Sequence, residues 1–454
     1  MISPQIFKAN EIRGVVAGED PEWDAVGARE LGAAWVDTLD LTAGAGSLVL
    51  GHDMRTTSPE LSTALAVGAT SRGVDVIDIG LASTDQLWFA SGRLDLPGVM
   101  FTASHNPGDY NGIKFCHAKA RPLTTAILAE LKDRVINPGP APVGCHPGSV
   151  VVQDLLPAYV DHLLSLVDLS TSRRLRVVAD AGNGMAGHTL PSVFAHLDAE
   201  LIGLYLELDG SFPNHPPNPL EPQNLVDAQR AVRQNHADLG LVFDGDADRC
   251  FIIDERGQVV SPSAVTALIA TQELAREPGA TIVRNLITSR SVPEIVAERG
   301  GTVVTTRVGH TFVKAAMAEH DAIFGGEHSA HYYFRDFWGA DTGMLAALHV
   351  LAVAGRSTAP LSELVAEFTR YAASGEINSA VADADAAMAA AEHAFTGRGT
   401  TDRTDGLTIT GADWWFNLRA SNTEPLLRLN VEAVQESTMA SIRDEVLGVV
   451  RSPS

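Results

Sequence analysis

The stretch LGLVFDGDADR (239–249) joins an unbroken apolar run to a loop of three alternating aspartates. Short apolar runs of this kind, ending in a polar loop, mark strands buried on both faces, as parallel sheets require. Upstream, residues 176–180 and 200–206 are also rich in aliphatic residues and are separated by stretches of helical period, which makes 239–243 the third strand of a βαβαβ unit. The pattern occurs twice more. Residues 48–53, 74–80 and 99–102 lead into TASHNP (102–107), and residues 281–286, 301–306 and 322–325 lead into GEHSAH (326–331). Each unit therefore delivers a polar loop from the C-terminal end of its third strand, where open α/β sheets bind ligands.

Beyond residue 370 the pattern changes. An Ala-rich helical stretch at 382–395 precedes a Gly/Thr-rich loop, strands at 414–418 and 426–431, and an amphipathic helix at 436–450, the pattern of a smaller α+β domain. Proline and glycine crowd out periodicity at 137–148, which marks a linker; weaker linker signals follow Arg249 and lie near Arg370.

The length of 454 residues is about three typical domains of ~150 residues. With 45% apolar and 20% charged residues the composition is that of a globular chain. Lys and Arg total 33 against 56 Asp and Glu, a net charge of −23, which argues against binding nucleic acid or an anionic membrane surface. Phosphorylated small molecules remain open, provided that cations are gathered locally. Cys116, Cys145 and Cys250 are odd in number and lack CxxC pairing, which fits a reducing compartment better than a disulfide framework or a zinc site. The N-terminus lacks a signal-peptide pattern, and the longest apolar run, near 344–354, contains His349 and is too short to span a bilayer. A cytoplasmic protein is expected. The sequence carries no signal for an oligomeric state.

Asp244, Asp246 and Asp248 stand at alternate positions, so in an extended segment their carboxylates point to one side as a hard-oxygen cage for Mg²⁺ or Ca²⁺. An EF-hand would need glycine where Arg249 stands. A solvated acidic turn is the plain alternative, but an arginine directly after the cage suits a phosphate shared between metal and guanidinium. In TASHNP, Ser104 and His105 occupy a turn set by Asn106-Pro107, with Lys114 close behind; no GxSxG elbow supports a serine hydrolase. Glu327 and Ser329 fall on one face of an extended GEHSAH segment, where they could hydrogen-bond adjacent sugar hydroxyls. RASNTEP (419–425) combines Arg419 with Ser421, Asn422 and Thr423 in a turn of phosphate-holding composition, or an ordinary polar turn.

TASHNP, DGDADR, GEHSAH and RASNTEP, in this order and across essentially the whole chain, resemble the signature set of the α-D-phosphohexomutase superfamily, most closely its bacterial phosphomannomutase/phosphoglucomutase members. The resemblance implies an α/β fold of three related mixed-sheet α/β domains plus a C-terminal α+β domain around a central cleft. The expected divisions are 1–146 (phosphoserine), 147–252 (metal), 253–368 (sugar) and 369–454 (distal phosphate). Ser104 is then the phosphoryl carrier, and Asp244, Asp246 and Asp248, together with the phosphate on Ser104, hold Mg²⁺. Arg249 lies against the phosphoserine, and His105, Arg13, Lys114 and His310 match further catalytic positions of the cleft. Glu327 and Ser329, followed by His331, read the sugar; Arg419, Ser421, Asn422 and Thr423 hold the phosphate that is not transferred.

The implied reaction interconverts mannose 6-phosphate and mannose 1-phosphate through a hexose 1,6-bisphosphate, with hexose phosphates as the partners and phosphoglucomutase activity beside it. Asn422 stands where phosphoglucosamine mutases typically carry glycine, so that activity is the runner-up; a catalytically silent phosphosugar-binding protein and a phosphatase with an aspartate nucleophile are further alternatives. The chain departs from the family pattern at Asn10, Ala247 and Ala330, where tyrosine, glycine and glycine are usual. These changes bear on fine specificity and loop mobility, not on the reaction.

Overall fold

The structure, a computed structural model, describes residues 2–41, 46–138, 146–420 and 426–451. Three α/β units share one strand plan. In the first, Ser47–His52 pairs in parallel with Asp75–Leu81 on one side and Gly98–Phe101 on the other, and Tyr110–His117 runs antiparallel beside Gly98–Phe101. In the second, the same places are taken by Leu175–Asp180, Ala199–Leu204, Leu239–Phe243 and the antiparallel Cys250–Asp254. In the third they are taken by Thr281–Asn285, Thr302–Thr306, Phe324–Gly326 and the antiparallel Tyr332–Phe334. The three polar loops are thus hairpin tips between the third and fourth strands of their units.

The antiparallel fourth strand is what the sequence pattern missed, and strand pairing moves two of the expected boundaries. No linker follows Arg249: the expected division at 252/253 falls inside Cys250–Asp254, which pairs with Leu239–Phe243 along its whole length. The division at 146/147 separates Val150–Val152 from the first sheet, to which it pairs through Asp75–Leu81. Residues 414–420, 426–433 and three further strands form the antiparallel sheet of the C-terminal unit, with helices Ala384–Ala394 and Glu436–Val450 packed on it.

Burial explains why these runs form strands. All five residues of Leu239–Phe243 and all four of Gly98–Phe101 are buried, as expected where helices cover both faces of a sheet. The apolar run near 344–354 becomes the helix Gly343–Arg356, in which twelve of the residues are buried. Among the described residues no single helix is long and apolar enough to cross a membrane. The second and third units share one hydrophobic core, into which Leu87, Trp88 and Phe89 of the first unit's helix Thr84–Leu94 also pack. The C-terminal unit has its own core around Phe395, Phe416 and Leu429.

A buried carboxylate ties the first three units together. Asp85 accepts hydrogen bonds from Ser83, from Tyr159 Oη (2.7 Å) of the second unit and from Thr342 Oγ1 (2.6 Å) of the third. Burial pushes its pKa up to about 6 against the pull of those three hydroxyls. The C-terminal unit is joined differently, through polar contacts. Glu432, held within its own unit by Trp415 Nε1, accepts from the Ser289 hydroxyl and the Arg290 backbone N–H (3.0 Å) of the third unit, and Asp405 accepts from the Val308 N–H.

Helices Ala25–Thr38 and Ser58–Thr70 cross so closely that a Cβ on Gly68 would lie 1.9 Å from the Arg29 carbonyl oxygen. Backbone cannot yield as a side-chain tip does, so Gly68→Ala is expected to destabilise the first unit by ~1–3 kcal/mol. Gly448→Ala, whose added Cβ would meet no atom of another element within 4 Å, serves as the control and should show no such loss. Denaturant unfolding followed by tryptophan fluorescence compares the two.

Candidate active site

The three hairpin tips converge on Ser104. Its hydroxyl donates to Asp244 Oδ2 at 2.9 Å and accepts from Arg249 Nη2 at 2.9 Å, so first-unit and second-unit loops meet through this one oxygen. A backbone bridge between Arg249 and His331 sets the third unit's loop alongside. The approach is tight. A Cβ on Gly245 would lie 2.3 Å from the Ser104 carbonyl oxygen, which is why the second residue of DGDADR is glycine. His105 Nδ1 lies 3.2 Å from Ser104 Oγ and takes a hydrogen bond from Arg249; burial and the guanidinium hold the imidazole well below its ordinary pKa, hence neutral.

The three aspartates do converge, though not as an extended segment. Residues 244–249 form a turn in which the Ala247 N–H reaches the Asp244 carbonyl at 3.1 Å, and one oxygen from each carboxylate lies within 4.8 Å of the others. Asp246 and Asp248 are each 1% exposed or less, and Asp246 Oδ1 and Asp248 Oδ1 have no hydrogen-bond partner. Burial raises the Asp244 pKa to about 8, against the pull of Arg249. Buried oxygens short of donors and a carboxyl that resists ionising describe a site lacking positive charge, which a hard divalent cation supplies. The residues present fit such an ion.

Two side-chain cations already face the cage. Lys114 Nζ sits 2.8 Å from Asp246 Oδ2 and 2.5 Å from Asp248 Oδ2; burial works to lower its pKa, but Asp246 and Asp248 prevail and hold it cationic. Arg249 pairs with Asp244 at 2.7 Å. Arg13 stands one step back, bonded to Asn106 Oδ1 and Glu11 Oε2, each at 2.8 Å.

GEHSAH is also a turn and not an extended face: the Ala330 N–H reaches the Glu327 carbonyl at 3.1 Å. The turn still puts the expected groups side by side, with Ser329 Oγ 3.2 Å from Glu327 Oε2 and 2.8 Å from His331 Nδ1. Glu327 is 2% exposed, its Oε1 has no partner, and burial pushes its pKa up to about 7. His331 Nε2 lies 3.6 Å from Asp248 Oδ1, and burial brings its pKa down to about 4. His310, at the start of helix His310–Glu319, faces a small cavity with Asn10, Lys114 and Lys314, and crowding by the protein likewise lowers it to about 4. Arg419, next to last in the strand Trp414–Ala420, pairs with Glu376 at 3.2 Å and is near enough to Glu327 to favour its ionised form. Ser421, Asn422 and Thr423 lie outside the described residues.

Known proteins share this architecture along the full chain. Models of phosphoglucomutase/phosphomannomutase α/β/α domains I, II and III match residues 4–139, 157–257 and 261–371, and that of the C-terminal domain matches 376–449. The chain belongs to this family. A phosphomannomutase of Salmonella montevideo is 40% identical over 98% of this chain and 99% of its own. The phosphohexose mutases of Xanthomonas campestris are 41% identical over 97% of each chain. A crystal structure of a phosphoglucomutase/phosphomannomutase family protein from Burkholderia thailandensis superposes with a TM-score of 0.89 at 32% identity, covering 100% of this chain and 99% of that one. Membership makes the protein a phosphohexomutase, an enzyme of the isomerase class.

This phosphohexomutase carries site residues that the sequence reading did not single out. Thr84 donates from Oγ1 to Asp246 Oδ2 at 2.7 Å and from its N–H to the Asp246 carbonyl at 3.0 Å, aiming the middle carboxylate from another unit. Lys314 and Asp341 form a buried pair at 2.7 Å beside His310 and His331. No local spacing announces them, because their partners are more than a hundred residues away or lie on a different element. The two departures from glycine have a structural meaning: Ala247 and Ala330 adopt φ of 60° and 65°, the left-handed region that costs an alanine roughly 1–2 kcal/mol. Thr84→Val should weaken divalent-cation binding by about 10–100-fold, as loss of a ligand's supporting hydrogen bond does elsewhere. Calorimetric titration of the wild type and the variant with Mg²⁺ reads this directly, and equal affinities would refute it.

Proposed function

We propose that the enzyme interconverts mannose 6-phosphate and mannose 1-phosphate, carrying the phosphoryl group on Ser104 through a hexose 1,6-bisphosphate intermediate. The observation that carries the reading is the Ser104 hydroxyl, buried at 4% exposure between a carboxylate cage and Arg249 at the meeting of three units. The phosphomannomutase and phosphohexose mutase relatives support the substrate class.

The phosphate on Ser104 passes to the free hydroxyl of a bound hexose monophosphate: its bond to Oγ breaks as the bond to the sugar oxygen forms. The bisphosphate then turns end for end, and its other phosphate returns to Ser104. Asp244, Asp246 and Asp248, with the phosphate on Ser104, would hold Mg²⁺, which when bound neutralises phosphoryl charge as it develops. Arg249 is positioned to follow that charge on the serine side, and Lys114, kept cationic, can stabilise charge but not accept a proton. The neutral imidazoles of His310 and His331 can accept the proton leaving the sugar hydroxyl. Glu327 and Ser329 would grip the 3- and 4-hydroxyls, and Arg419 with the loop 421–423 the distal phosphate.

Mannose and glucose differ only at C2, away from the hydroxyls assigned to Glu327 and Ser329, so glucose 6-phosphate should also turn over. Parallel kcat/KM measurements with mannose, glucose and glucosamine phosphates test this; a mannose preference above about 10⁴ would reveal a dedicated polar contact to the 2-hydroxyl. Incubation with labelled glucose 1,6-bisphosphate should place covalent phosphate on Ser104, and Ser104→Ala should lose both label and turnover. Label on Asp244 would instead indicate an aspartyl phosphatase, and undiminished sugar binding with no label in the wild type a silent binder.

Glu327 must be ionised to accept hydrogen bonds from two hydroxyls, and its pKa stands at about 7. Lowering the pH through that value should therefore lower kcat/KM, which reports groups of the free enzyme, by one decade per pH unit. The substrate phosphate titrates near ~6 and adds its own limb. Glu327→Gln separates the two: its residual activity should retain only the limb near the phosphate pKa.

A further inference from the structure

Arg55 has no side-chain exposure and touches neither the cage nor the space in front of Ser104, yet it organises the loop that presents the serine. A guanidinium offers five N–H donors in one plane and accepts nothing. Four of the five are committed to backbone carbonyls of a single loop. Nη2 donates to Ser104 O at 3.0 Å and Asn106 O at 2.7 Å; Nη1 donates to Pro107 O at 2.6 Å and Tyr110 O at 3.0 Å. The fifth, on Nε, makes no hydrogen bond, but stands in a charge pair with Asp53 Oδ2 at 3.2 Å. Asp53 is itself fixed by the Ser58 hydroxyl (2.6 Å) and the Arg55 backbone N–H (3.0 Å). The ring of Phe212, from the second unit, covers the guanidinium with its centroid 5.0 Å from Arg55 Cζ.

This arrangement answers a specific need. Ser104 sits at φ 48°, the left-handed region that a serine enters only at a cost of ~1–2 kcal/mol. Its carbonyl and those of residues 106, 107 and 110 converge, and carbonyl dipoles pointing at one another in a dry pocket repel unless a donor stands between them. With the guanidinium in place, the serine turn is held where its Oγ meets Asp244 and Arg249.

We propose that Arg55, capped by Phe212, is a positioning residue for phosphoryl transfer: it fixes the backbone of the serine loop so that Ser104 Oγ stays in line with the cage and Arg249. The proposal rests on the phosphoserine reading above. A misplacement of about 1 Å is enough to lower a rate about 10²-fold. Lysine, a point charge on a flexible stem, cannot span four carbonyls in one plane.

The test uses the full-length enzyme, with folding checked by circular dichroism and thermal unfolding. Arg55→Lys should lower kcat about 10²-fold while KM stays within about threefold, because the residue does not contact the sugar. The rate at which glucose 1,6-bisphosphate places label on Ser104 should fall in parallel. In Arg55→Ala, added guanidinium chloride at sub-denaturing concentration should restore kcat at least about tenfold, a rescue that a purely stabilising role would not give. Folded Arg55→Lys with unchanged kcat and labelling rate would overturn the proposal, as would a KM effect at constant kcat. Should both Arg55 variants fail to fold, Phe212→Leu carries the test, since it removes the cap and leaves every hydrogen-bond donor: lowered kcat at near-native melting temperature supports positioning, and unchanged kcat refutes it. Absence of label on Ser104 in the wild type would sink the phosphoserine reading and this proposal with it, whereas label in the wild type with an indifferent Arg55 sinks the proposal alone.

Discussion

Arg249 and Asp244 pair at 2.7 Å with almost no solvent exposure, directly under the Ser104 hydroxyl, and the remainder of the site follows from having to keep such charges balanced. Removing ions from water costs several kcal/mol each, recovered only when every charge is matched at close range. If all three carboxylates are ionised, as a bound cation would favour, Asp244, Asp246 and Asp248 face Arg249 and Lys114 with one negative charge over. A divalent cation turns that balance to positive one, which an incoming phosphate dianion reverses; Arg13, a step back, is the further cation within reach. The chain's overall −23 is no obstacle, because the relevant field is set within a few ångströms, where low dielectric magnifies each neighbour.

The threefold repeat solves the problem of bringing these groups together. Each unit ends its third strand in a hairpin, so three tips built alike can carry three different chemistries: a hydroxyl at Ser104, carboxylates at 244, 246 and 248, and a sugar-facing pair at Glu327 and Ser329. Asp85 then locks the units beneath the tips through Tyr159 and Thr342, and its neighbour Thr84 reaches Asp246 from the same helix. Scaffold and cage are joined within two consecutive residues.

Much of this was legible in the sequence, because strand identity is written locally. Leu239–Phe243 is as read from its apolar run, and the closing helix Glu436–Val450 has the limits that its periodicity gave. Two classes of feature were not. The antiparallel fourth strands begin immediately after polar loops, so Cys250–Asp254 looked like the far side of a linker; only pairing with Leu239–Phe243 makes it a strand of the same sheet. The loops themselves looked extended because alternation of Asp244, Asp246 and Asp248 satisfies a two-residue period, whereas a tight turn through Ala247 brings the same carboxylates together by another route. Thr84 acts across units and Lys314 pairs with Asp341 on a different element of its own unit, and no spacing within one segment encodes such contacts.

The C-terminal unit's separate core has a thermodynamic consequence. Shifting it against the rest of the molecule would chiefly exchange the hydrogen bonds of Glu432 and Asp405 for bonds to water, leaving the packing around Phe395 and Phe416 and the shared core of the second and third units intact. Such an exchange exposes little hydrocarbon, so it carries a small heat-capacity change and a modest free energy, unlike parting the second unit from the third. The cohesion of the molecule is therefore graded: hydrocarbon packing joins the units that align the charges, and polar contacts join the C-terminal unit to the third.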